Sequence, residues 1–108
     1  MQNNAFTPFG PTYLIGTAAP VQVITNNGLS PTSYRIRNTS ASANYIAWYP
    51  PLASGNAPIF GAVQPTAGVP SQNTIGMLGA SIEVFELPGN CWFIGNASGF
   101  EVTPGEGF

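Results

Sequence analysis

The chain has 108 residues, 44% of them hydrophobic and 6% charged, with a net charge of −2. That length makes one domain able to bury roughly two-thirds of its unfolded surface, but soluble domains usually carry about 25% charged residues. A surface solvated mainly by amides and hydroxyls has little electrostatic protection against association and tends to lie against something. Without clustered Lys and Arg there is no footprint for nucleic acid.

Residues 1–11 carry Pro8 and Pro11 among Phe6 and Phe9, and read as an extended N-terminal arm ahead of one domain over 12–108. The opening MQNNAFTPFG has neither a basic n-region nor an apolar h-region, so no signal peptide is expected. Runs such as YLIG and WFIG are too short to cross a bilayer. Thirteen Gly and eleven Pro punctuate the chain and leave no long segment of helical period. Short β-branched and aromatic runs predict strands near Tyr13–Ile15, Val21–Thr25, Ser33–Asn38, Tyr45–Tyr49, Ser81–Leu87, Cys91–Asn96 and Gly99–Thr103. Asn26-Asn27-Gly28 is a turn signal, and Pro88-Gly89-Asn90 has the residues of a tight turn joining two of these strands as a hairpin. Residues 50–74 hold five prolines and no charge, and read as a long loop packed on something through Ile59, Phe60 and Val63. The tail after Val102 reads as a strand end and a loose terminus. Short strands at this spacing define an all-β fold, an antiparallel sandwich or barrel.

Arg35 and Arg37 are the only cations, set two residues apart in SYRIRN. In a strand they share one face while Tyr34 and Ile36 share the other, so the arginines are expected on an outer face. The four acids are Glu83, Glu86, Glu101 and Glu106. If Ile82 and Val84 point inward, Glu83 points outward; Phe100 and Val102 do the same for Glu101. Glu83 and Glu101 are then the candidate ion-pair partners, either across strands of one chain or between subunits, where bidentate geometry would fix register. The paired aromatics Trp48-Tyr49 and Trp92-Phe93 should each put one ring in and one out, with Phe93 or Trp92 buried beside Ile82 and Val84.

No catalytic residue is predicted. Without His there is no Ser-His-Asp triad, Cys-His dyad or His metal site, and scattered Glu without Asp is poor material for a cation. Glu83 and Glu86 lie three apart on a strand and point to opposite faces, so they do not converge as a glycosidase pair. Cys91 is alone, which rules out an intramolecular disulfide, and reads as a small buried residue. No metal and no cofactor are expected. The sequons at Asn38 and Asn96 read as chance matches.

The order YRIRNTSASANYIAWY, a Pro/Ala/Gly-rich loop, IGMLGASIEVFELPGNCWFIGN and SGFEVTPGEG resembles small decoration, or cement, proteins of tailed bacteriophages, over roughly residues 33–105. The resemblance implies a β-sandwich of jelly-roll type, made in the host cytoplasm, that binds the major capsid protein and neighbouring copies of itself as a homodimer or homotrimer on the virion surface. On that expectation Phe6, Phe9, Ile59 and Phe60 make the partner contacts, and Arg35 and Arg37 align them. The alternative expectation is a carbohydrate- or receptor-binding module such as a head-fibre or adhesin tip, with outward Trp48 or Trp92 as a stacking platform.

Overall fold

A computed structural model of the chain describes residues 6–8, 10–25, 31–56, 73–97 and 99–106. Nine strands, and no helix, lie among the described residues: β1 (Thr7–Pro8), β2 (Tyr13–Ile15), β3 (Val21–Gln22), β4 (Ser33–Asn38), β5 (Asn44–Tyr49), β6 (Thr74–Met77), β7 (Ile82–Glu86), β8 (Trp92–Gly95) and β9 (Phe100–Glu106). They form two antiparallel sheets. Sheet A runs β1-β9-β4-β7 with β2 also paired to β9, and sheet B runs β3-β8-β5-β6. Among consecutive strands from β2 to β9, only β5 and β6 stay in one sheet; every other connection crosses to the facing sheet.

The alternation of β4 explains how the sheets are joined. Tyr34, Ile36 and Asn38 are fully buried while Arg35 and Arg37 are exposed. Tyr34 meets Phe93 of sheet B edge-on, with ring centroids 5.1 Å apart, inside a core that also holds Ile15, Val23, Ile46, Met77, Phe100 and Val102. The Tyr34 hydroxyl donates to the Pro88 carbonyl at 2.8 Å and accepts from the Cys91 N–H at 3.1 Å. It therefore pins the β7–β8 crossover from inside. Asn38 does the same at the other end of the strand. Its amide donates to the Ser42 and Leu78 carbonyls at 3.0 and 3.1 Å, and its Oδ1 accepts from the Ser40 N–H. A side chain so engaged is no acceptor for glycosylation.

Four expectations are corrected. The Pro88-Gly89-Asn90 turn exists, with Asn90 at φ 57° where Asn is tolerated, but it joins sheet A to sheet B rather than closing a hairpin. Ile82 and Val84 do not point inward: β7 pairs with Tyr34 opposite Phe85 and Arg37 opposite Ile82, so Phe85 and Leu87 pack on the core and Ile82 is 57% exposed. Phe93 is buried, therefore, against Tyr34 and not beside Ile82 and Val84. The C-terminal stretch is not loose through Glu106, because β9 continues to that residue and pairs with β4 on one side and with β1 and β2 on the other. Pro104, lacking an N–H, falls between the residues paired to β1 and those paired to β2. Thr7 and Pro8 of the arm are strand β1, and Thr74, expected at the end of the loop, begins β6.

Candidate functional site

Cross-strand register assembles the outer face of sheet A in rows. Leu14 lies opposite Glu101, Glu101 opposite Arg37, and Arg37 opposite Ile82. In the next row Thr103 lies opposite Arg35 and Arg35 opposite Val84, with the Thr12 hydroxyl 2.7 Å from that of Thr103. Both arginines of the protein thus sit at the centre of a four-strand face. Together Thr12, Arg35, Arg37, Ile82, Glu101 and Thr103 line an open depression of about 190 Å³.

The two cations have different company. Arg37 Nη1 lies 3.6 Å from Glu101 Oε1, with the side chains 55% and 37% exposed. The expected partner Glu101 is therefore in place, within one chain. In so exposed a setting the pair contributes about 0.2–1 kcal/mol. Glu83 is not a partner: it lies opposite Ile36, on the face away from the arginines. The reason is the inverted facing of β7, whose sequence alternates well in either sense. The Arg35 guanidinium stands 5.7 Å from the centroid of the Phe6 ring, a cation–π contact. Phe6 is half-buried and lies where a side chain at Gly105 would be, since a Cβ there would come within 2.6 Å of its ring. The Phe6 ring, expected to meet a partner, is thus engaged by its own sheet. Phe9, Ile59, Phe60 and Val63 lie outside the described residues.

Three apolar residues of this face depart from the sequence expectation. Leu14 is 71% exposed; the signal was the alternation of Tyr13 and Ile15 inward, which turns Leu14 out. Ile82 and Val84, expected in the core, are the other two.

The outer face of sheet B is aromatic. Tyr49 lies opposite Trp92, and Trp48 opposite Phe93; Trp48 and Phe93 pack on the core, so Tyr49 and Trp92 are the outward rings. Each aromatic pair divides as expected, and Trp92, not Trp48, is available for stacking.

Neither face assembles a nucleophile with a base. The Cys91 thiol is fully buried and donates to the Pro88 carbonyl at 3.0 Å. Burial pushes its pKa up to about 11, against a smaller lowering by the Tyr34 hydroxyl, so it is held as the inert thiol. Among the described residues no group of three His, Cys, Asp or Glu converges on a metal site, and no helix is long and apolar enough to cross a membrane. No family model, curated protein or solved structure matches this chain.

Proposed function

We propose that this chain is a non-catalytic structural protein of a phage virion, which binds the outside of the head and stabilises it. The observation that carries the reading is the outer face of sheet A: exposed Leu14 and Ile82 flank an ion pair in a chain otherwise poor in charge. Such a face suits contact with a macromolecule, not chemistry on a small one. The fold we propose is a jelly roll. The order β2-β9-β4-β7 facing β3-β8-β5-β6, with crossovers between sheets, supports it, and that architecture recurs in viral capsid and lectin domains. The YRIRN, EVFELPGN and VTPGEG motifs favour a decoration protein within that range. A protein that binds only assembled shell shifts the equilibrium toward the shell by mass action.

On this reading Phe9, Ile59 and Phe60 dock on the major capsid protein, and the prolines around them reduce the ordering entropy lost on docking. Phe6 holds the arm to the sheet. Arg35 and Arg37 align neighbouring copies. Co-sedimentation with undecorated heads tests this. Phe9→Ser combined with Ile59→Ser and Phe60→Ser is expected to keep the β-fold by circular dichroism and to lose attachment. Arg35→Ala with Arg37→Ala is expected to weaken attachment less, and in a salt-dependent way. Undiminished attachment of the triple variant, with loss in the arginine variant, would reverse these roles.

The outward Tyr49 and Trp92, directly opposite on sheet B, favour a second reading as a carbohydrate-binding module. A glycan array separates the two: binding abolished by Trp92→Ala supports the sugar reading.

A further inference from the structure

We propose that the outer face of sheet A is a self-complementary interface on which a second copy of this chain seats by a two-fold rotation. The axis runs parallel to the strands and between β9 and β4. The inference rests on the order of side chains and not on the virion reading. Across the sheet the central row is Leu14, Glu101, Arg37, Ile82, which is apolar, negative, positive, apolar. Rotation about that axis lays the row on its own reverse. Glu101 of each copy then faces Arg37 of the other, and Leu14 faces Ile82. In the adjoining row Thr103 faces Arg35 and Thr12 faces Val84. In the central row each charge thus meets its opposite and Leu14 meets Ile82, as an isologous contact requires; in the adjoining row Arg35, which keeps the Phe6 ring of its own chain, meets a hydroxyl, and Val84 a threonine.

The side chains have the capacity for this second partner. A guanidinium carries five N–H donors and a carboxylate about four acceptor positions, and the 3.6 Å intrachain contact leaves Arg37 55% exposed. Leu14 and Ile82, 71% and 57% exposed, are the aliphatic surface that association would remove from water. Pairing along the β7 edge of the sheet is disfavoured by contrast, because that strand carries Glu83 and Glu86, and like charges there oppose strand addition. Stacking two twisted sheets with nearly aligned strands is an ordinary packing. Four strands about 4.8 Å apart and about 20 Å long give a face of roughly 400 Å². That is about half of what each partner contributes to a standard interface, so the free dimer has a dissociation constant in the micromolar range or weaker.

Sedimentation equilibrium of the full chain over a concentration series tests the proposal. The native chain is expected to be a monomer–dimer system. R37E and E101R each bring like charges together across the axis and are expected to weaken self-association by more than about tenfold. The equimolar mixture of the two is expected to regain dimer. One chain then offers carboxylates at both positions and the other guanidinium groups at both, so each contact is attractive again; that rescue cannot come from misfolded variants. L14S with I82S should also weaken the dimer. A native chain monomeric up to about 1 mM, a trimer, R37E associating like the native chain, or a mixture that stays monomeric while the native chain pairs would each overturn it. Because association is read on free protein and attachment on heads, the two readings fail separately.

Discussion

Tyr34 shows how much a single side chain decides here. Buried between the sheets, its hydroxyl serves both the Pro88 carbonyl and the Cys91 N–H, so the turn that carries the chain from sheet A to sheet B closes on it. Tyr34→Phe keeps the ring on Phe93 but leaves a buried N–H unmet, and is expected to cost about 1–3 kcal/mol. An unchanged denaturation midpoint would contradict the assigned role. The same cluster sets an alkaline limit. Desolvation raises both the Tyr34 hydroxyl and the Cys91 thiol above their ordinary ranges, the latter from 9.0 to about 11. Each group holds its proton more tightly folded than unfolded, so its contribution is fully present below the unfolded pKa and is lost as pH rises through the folded one. Stability should therefore begin to fall above about pH 9 and continue to fall to about pH 11 and beyond, with Tyr34 adding to the loss above its own unfolded pKa. Thermal unfolding across that range should show a shallower decline for Cys91→Ala; identical slopes would mean that the Cys91 thiol does not set this limit.

At the level of elements, seven of the nine strands were legible, β1 and β6 were not, and the way they assemble was only partly so. Tyr13–Ile15 and Ser33–Asn38 form with the bounds their alternation predicts, because one face is apolar and the other is not. The turn at Asn90 was legible for a local reason, the left-handed conformation that Asn tolerates. Which sheet the next strand joins is decided by distant packing, Tyr34 on Phe93, and a turn carries no record of that. In β7 the sequence IEVFEL alternates with either Ile82 and Val84 or Phe85 and Leu87 as the apolar set. The larger ring of Phe85 takes the inside, and the facing of Glu83 changes with it. The arginine face was legible through Arg37 and Glu101 but not through Leu14 and Ile82. Since Phe93 is inward and Trp92 outward, Phe93→Ala should cost about 3–5 kcal/mol and Trp92→Ala less than about half of that. Equal costs in chemical denaturation would mean that the facing of β8 is wrong.

The whole molecule presents two sheet faces of different chemistry. Its core side chains are apolar, or polar and satisfied, with no buried side-chain donor or acceptor lacking a partner among the described residues. Its charge is gathered on sheet A and its outward rings, Tyr49 and Trp92, on sheet B. The two cations of the chain stand two residues apart on one strand, so both lie on the outer face of sheet A, with Glu101 opposite Arg37. Electron cryomicroscopy of phage heads, assembled with and without this chain, tests the proposed attachment to the shell. The expected result is an added two-sheet density on the outer shell surface, present only when the chain is supplied, and heads that withstand heating better for carrying it. Identical shells from both preparations, with the protein free in the supernatant or attached elsewhere on the particle, would contradict it.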